Sequence, residues 1–284
     1  MRILAATLLG LLALAPMAAR VSAGTVGVTY IGNTGFMIEA GTSKILVDAV
    51  FDEGWDLYLV PSRGTRNDIR SAKGVFSDVD AILVTHWHDD HFDASLVASH
   101  LVRNPSCRLL APVQVVDLLR DRKEFGRVEA QIIELVPGYS ESIDVEVRDA
   151  AITAVGMSHS QYMLDGVDKH RDVENIGYVV TAGGVTLMHC GDASFDLAET
   201  FIESSRLDER AIDVLFVQAW DRSPGAARVV NEVIRPGKVI ATHLPPADFD
   251  QIVPAFRGTF HGAILFRESM ERKRLDIRRS GANN

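Results

Sequence analysis

Residues 86–91 read His86-Trp87-His88-Asp89-Asp90-His91, three imidazoles and two carboxylates in six positions, directly behind the apolar run at residues 81–84. In an extended chain, side chains two apart lie on one side, so His86 and His88 leave the end of that run toward a common point. Asp90 and His91 follow where the chain enters a helix that Asp93 is suited to cap, and they reach the same point from another direction. Ionisable groups this dense repel one another or suffer desolvation when buried alone, whereas a bound dication satisfies them together. A fold that keeps this segment therefore has to end a strand at a metal-ligating cavity. Histidine and carboxylate donors are those of a catalytic site that leaves a position for water. Neither Cys107 nor Cys190 has the Cys-x-x-Cys spacing of a structural zinc site.

The surrounding sequence supplies the frame. Short β-type runs at residues 25–32, 35–40 and 44–50 are separated by the turn signals Asn33-Thr34-Gly35 and Gly41-Thr42-Ser43, an antiparallel meander. Residues 51–78 are polar and irregular, with a turn-like Pro61-Ser62-Arg63-Gly64, and are expected as a long loop that either covers a site or makes a surface excursion. Then come a strand at 81–84, a helix from Asp93 to about Arg103 stopped by Pro105, a strand at 107–112, a helix at 113–124, and strands at 127–136 and 142–155. Strands at 177–182 and 185–190 are joined by Gly183-Gly184, a hairpin signature. The last part alternates a helix near 197–205, a strand at 211–218, a helix at 226–234, a strand at 238–244, a helix near 249–256 and a strand at 263–268. Strand meanders interleaved with helices in both halves point to two facing sheets with helices outside. No composition break or short internal repeat divides the chain after Gly24, so residues 24–284 are expected as one domain.

The pattern His-x-His-x-Asp-His closely resembles the signature of the metallo-β-lactamase-fold hydrolases, and other positions match in order. Asp48 in "ILVDAV", His159 in "AVGMSHS", Gly191-Asp192 in "LMHCGDAS" and His243 in "VIATHL" each close a strand-like run. The opening residues and the run around His86 look most like the branch that includes L-ascorbate-6-phosphate lactonase and N-acylphosphatidylethanolamine phospholipase D. The resemblance implies an α/β fold, a four-layer αββα sandwich. It also implies a first metal on His86, His88 and His159, a second on Asp90, His91 and His243, and Asp192 bridging both. Asp48 would orient ligands by hydrogen bonds from behind.

Carried further, the resemblance implies a dinuclear zinc hydrolase, with Mn2+ or Fe2+ as alternative ions. Metal binding lowers the pKa of water from about 15.7 to about 7, which makes a bridging hydroxide available to attack an ester, lactone, amide or phosphodiester. Asp90 and Asp192 are the residues expected to accept a proton as the intermediate collapses. Two other activities resemble the ligand set in part: a mononuclear iron oxygenase of the persulfide dioxygenase type, and a β-lactamase. Fold alone does not choose the substrate.

The remaining reactive side chains have quieter readings. Period two carries Cys190 to the side of Asp192, as a small packing residue, and sends His189 to the opposite side. His170, between Lys169 and Arg171, belongs to a solvated loop or contacts an anionic substrate group. His100 and His261 are expected as structural or surface groups. Trp87 and Trp220 either line the pocket mouth or pack as ordinary aromatics.

Residues 1–23 carry Arg2, an apolar stretch, a Pro16 break and small residues before Gly24, which reads as a secretory signal, with an uncleaved anchor as the alternative. The protein is thus expected in the periplasm or outside the cell, with no stable membrane span after cleavage. Removing the leader takes away Arg2 and Arg20 and no acid, so the formal charge moves from −9 to −11. A chain that acidic, without a long Lys/Arg cluster, is not expected to bind nucleic acid, which leaves a small-molecule substrate. Nothing in the sequence sets the oligomeric state, and two cysteines far apart read as free buried thiols.

Overall fold

Side chains alternate between two apolar layers along nearly every strand, and that alternation generates the architecture. The computed structural model describes residues 23–197 and 209–278. The leader, apart from Ala23, and most of the helix expected near residues 197–205 lie outside the described residues.

One sheet has seven strands in the order β15-β1-β2-β3-β4-β5-β6, with β1 Ala23–Gly32, β2 Gly35–Ala40, β3 Ser43–Val47, β4 Ala81–Leu83, β5 Arg108–Pro112, β6 Ile132–Leu135 and β15 Arg272–Arg278. The other has six in the order β14-β13-β12-β11-β8-β7, with β7 Ser142–Val147, β8 Ala150–Ser158, β11 Glu174–Ala182, β12 Val185–His189, β13 Val214–Gln218 and β14 Lys238–Thr242. A short hairpin, β9 Met163–Leu164 with β10 Val167–Asp168, stands apart. Phe36 and Ile38 face the other sheet while Met37 between them faces helices, and Val214 and Phe216 do the same against Leu215 and Val217. The helices α1 Arg63–Ser71, α2 Ala94–Arg103 and α3 Val113–Arg120 cover the first sheet, burying Ile69, Leu96, Val97, Leu101 and Val115. The helix Pro224–Arg228, continued as a π-helix over Val229–Ile234, and the helix Phe249–Thr259 cover the second. The result is the four-layer αββα sandwich expected from the sequence.

The strand pairings place the chemistry. β3, β4, β5 and β6 run parallel, as do β12, β13 and β14. In parallel sheets functional groups collect beyond the carboxyl ends of the strands. The two sheets meet at that edge: Ile176 N donates to Thr85 O at 2.9 Å, and the buried Tyr178 hydroxyl lies 2.9 Å from Val84 O and 3.0 Å from Leu110 O.

Four expectations need correction. Residues 51–78 are not loop throughout, since Ser62 caps α1 by accepting from Thr65 N at 3.1 Å. That helix buries only Ile69, so its sequence shows no apolar stripe to read. The stretch 127–136 is strand only at Ile132–Leu135, preceded by helical turns at Phe125–Val128 and Glu129–Gln131. Residues 142–155 are two strands folded back at Arg148, which adopts a left-handed φ of 52°. Finally, residues 263–268 make only one isolated bridge, Ile240 to Ile264, and the last strand is β15. β15 carries no readable strand signal because five charged residues hide the two inward positions, Leu275 and Ile277.

Candidate metal centre

Backbone turns at the strand ends aim the donors inward. Asp48 follows β3 with φ 46°, His243 follows β14 with φ 49°, and Gly191 follows β12 with φ 55°. Left-handed conformations at non-glycine residues cost energy and persist where surrounding structure enforces them. At Gly191 a Cβ would lie 2.4 Å from Asn175 Oδ1 and 2.5 Å from Thr85 Oγ1, so only glycine lets the chain turn there and bring Asp192 to the cavity.

All seven sequence-predicted donors converge. His86 Nε2 and His88 Nδ1 are 3.0 Å apart, and these two with His159 have donor atoms within 4.8 Å of one another. Asp90, His91 and His243 form a second such group, and His86, His91 and Asp192 a third that joins them. Asp192 reaches both sides: Oδ1 lies 3.3 Å from His91 Nε2 and 3.3 Å from His243 Nε2, and Oδ2 lies 3.7 Å from His159 Nε2. His88 is half-buried at the mouth, Asp192 is mostly covered, and the rest are buried. Asp89 is exposed and takes no part.

Hydrogen bonds behind the donors fix which imidazole nitrogen is free. Asp48 Oδ2 lies 2.9 Å from His91 Nδ1 and accepts from Thr85 Oγ1 at 2.7 Å, while Oδ1 accepts from Thr85 N at 2.8 Å. Because the Thr85 hydroxyl donates to Asp48, its oxygen accepts from His86 Nδ1, 3.0 Å away. One carboxylate thus sets the tautomer of His91 directly and of His86 through Thr85, leaving both Nε2 lone pairs for the cavity. His159 Nδ1 donates to Ser160 O at 2.9 Å, with the same consequence, and Asn33 Nδ2 donates to Asp90 Oδ2 at 2.8 Å.

The electrostatics match a cation site. Burial first, then neighbouring imidazoles, holds His86 well below its ordinary pKa and His88 down to about 3. His159 and His243 are lowered too, by burial, so these ligands are neutral. His91 is the exception: burial opposes its protonation, yet Asp192, Asp90 and Asp48 together raise it well above the usual range. Burial likewise opposes ionisation of Asp192, which His243 and His91 nonetheless hold well below the carboxylate range. Without a metal the His91 ring itself supplies the positive charge these carboxylates favour, and its Nε2 proton occupies the position a bound cation would take. His91 Nε2, His159 Nε2 and Asp192 Oδ1 are buried with no hydrogen-bond partner, a costly state that a shared cation relieves. The residues present fit a bound metal cation.

Other positions are redistributed. His189, expected on the far side, points to the site: Nε2 lies 3.0 Å from Thr34 O and Nδ1 lies 3.9 Å from Asp48 Oδ2. Cys190 packs in the opposite layer with Val155 and Met157, because the strand's alternation ends at Gly191 and does not carry through to Asp192. Cys107 and Cys190 are free and buried. His170 borders the site, its ring 4.2 Å from His159 and its Nδ1 3.0 Å from Ser160 O. His100 is buried against Ile69 O, and His261 is exposed. Asn33, Thr34, Thr85 and Tyr58 join the site without a sequence signal of their own: the first two read only as a turn, and Tyr58 belongs to the irregular segment 51–78.

Known proteins resemble this chain in sequence and in fold. A family model described as beta-lactamase superfamily domain matches residues 43–259. A metal-dependent hydrolase of Pyrococcus furiosus is 30% identical over 169 residues, 59% of this chain and 61% of its own length, less than two thirds of that relative. One of Thermococcus kodakarensis is 23% identical over 232 residues, covering 77% of this chain and 84% of its own. Among solved structures, a metallo hydrolase from Ignicoccus hospitalis superposes with a TM-score of 0.58 at 19% identity, covering 88% of this chain and 98% of its own, a likeness of fold.

Proposed function

From the premise that the chain belongs to the β-lactamase superfamily and is a metal-dependent hydrolase, we propose that it is a dinuclear zinc enzyme acting on a small ester, lactone, amide or phosphodiester. His86, His88 and His159 would hold one ion, Asp90, His91 and His243 the other, and Asp192 would be shared between them. The observation that carries this reading is the Asp192 carboxylate, one oxygen beside His91 and His243 and the other beside His159. Two such ions supply Lewis acidity and a hydroxide nucleophile at neutral pH, with no serine or cysteine required.

The chain's own residues do the rest. Asp48 and Thr85 keep His91 and His86 in the ligating tautomer, so the donors need no reorganisation when charge develops. Asn33 holds Asp90 Oδ2 and so fixes that carboxylate's direction. Asp192, which lines the cavity, would be one acceptor for a proton as the intermediate collapses. Asp90 is the second acceptor. Export is part of the same proposal, supported by the pattern of residues 1–23.

Elemental analysis of the purified protein, paired with hydrolysis of chromogenic esters, lactones and phosphodiesters before and after chelation, tests the reading. Two zinc ions per chain and chelator-sensitive turnover are expected, with Asp192→Asn losing metal and rate together. One iron per chain with oxygen consumption would overturn it.

A further inference from the structure

Over the donor cluster lies a cavity of about 230 Å³ with two unlike walls. Trp55, Leu57, Tyr58 and Trp220 form one, and Ser160 and His170 form the other. The aromatic wall stands on the His243 side, with the Tyr58 ring 5.0 Å and the Trp220 ring 6.3 Å from His243. The polar wall stands beside His88 and His159, with His170 5.0 Å from the one and 4.2 Å from the other.

Two features say what the aromatic wall is for. Trp55 is 62%, Leu57 49% and Trp220 40% exposed, so three large apolar side chains stand in water around one opening, where covering them is favourable. Among the described residues, neither Lys nor Arg lines the cavity, and its only carboxylates are those of Asp90 and Asp192. An anionic group against this wall would give up its water for apolar side chains, with no Lys or Arg beside it. A neutral ring meets no such penalty. The volume suffices, since an apolar cavity of about 150 Å³ takes up benzene.

We propose that this wall selects substrates carrying an uncharged aromatic group beside the scissile bond, seated against Trp55 and Trp220 on the His243 side, with the polar remainder turned to Ser160 and His170. The inference rests on the reading of the cluster as a hydrolytic metal centre and narrows its substrate class. Substrates bearing a phosphate or carboxylate next to the reacting group are disfavoured.

The test is calorimetric binding of three amide probes to the metal-loaded full chain, with hydrolysis of each followed in parallel so that binding is read before turnover: phenylacetamide, acetamide, and phenylacetamide with a sulfonate on the far side of the ring. Phenylacetamide is expected to bind at least tenfold tighter than either of the others. Trp55→Ala and Trp220→Ala each weaken it about three- to tenfold, the span of an aromatic contact. Leu118→Ala, an equally exposed residue on α3 away from the cavity, leaves it unchanged. Sulfonate binding as tight as the parent, or tryptophan variants that bind phenylacetamide as the wild type does, would overturn the proposal. Selective phenylacetamide binding without metal-dependent hydrolysis of any substrate supports the aromatic wall and overturns the hydrolase reading, so the two fail separately.

Discussion

Asp48 Oδ2 lies 2.9 Å from His91 Nδ1, both side chains fully buried, and the same carboxylate holds the amide and hydroxyl of Thr85. Asp48→Ala therefore frees two imidazole tautomers and strands two buried donors. Metal affinity, read by competition with a chelator, should fall about 10- to 100-fold. Urea unfolding of the metal-free protein should show a loss of about 1–3 kcal/mol. Metal uptake as tight as in the wild type would mean that Asp48 does not orient the ligands.

At Gly191 the chain turns with φ 55° where no side chain fits, the nearest atoms lying 2.4 and 2.5 Å from a Cβ. Gly191→Ala should cost about 2–3 kcal/mol in urea unfolding, from the left-handed backbone and the overlap with Asn175 and Thr85 together. Because relief requires shifting Asp192, metal stoichiometry should drop in the same variant. A folded Gly191→Ala protein with both properties intact would contradict the turn's assigned role.

Asp221 offers a pH handle away from the donors. Burial pushes its carboxyl up to about 6, against the amide of Phe195 at 2.6 Å, which favours the ionised form. Its ordinary value is about 3.9. From roughly pH 4 to 6 the folded chain keeps a proton that the unfolded chain has released, so this group's contribution to stability falls as pH rises through that window and stays low above it. Asp221→Asn retains an acceptor for Phe195 and should be more stable than the wild type by about 2 kcal/mol at pH 7, with little difference at pH 4. Equal wild-type and variant stabilities at both pH values would rule this out.

Tyr178 joins the sheets just behind the site, its hydroxyl reaching the carbonyls of Val84 and Leu110 from the opposite sheet. Tyr178→Phe removes that link at nearly constant shape and should cost about 1–2 kcal/mol. Amide exchange at Thr85, whose backbone sits between the sheets, should quicken. Unchanged protection there would show that the link is redundant.

How far the sequence could be read depends on the range of the forces concerned. The meander of β1 to β3, the α2 cap at Asp93 and the Gly183-Gly184 hairpin are legible because alternation, capping and turn geometry act within a few residues. α1 and β15 are not, since each hides one or two inward residues among charges that only a neighbouring element explains. Period two sends His189 and Cys190 to the wrong sides because the alternation does not carry across Gly191, where the backbone turns left-handed.

Residue type and spacing alone mark His86, His88, Asp90 and His91 as a ligating cluster behind a strand, while His159, Asp192 and His243 are legible only through the family resemblance. What physically holds the seven together is decided by the tertiary structure. His86, His159, Asp192 and His243 come from both sheets, and what brings them together is inter-sheet packing around Phe36, Tyr178 and Phe216 with forced turns at Asp48, Gly191 and His243. Packing sums contacts between residues far apart along the chain, and no local pattern encodes that sum. For the same reason the tautomer relay through Thr85 and the aromatic wall of Trp55 and Trp220 emerged only in three dimensions.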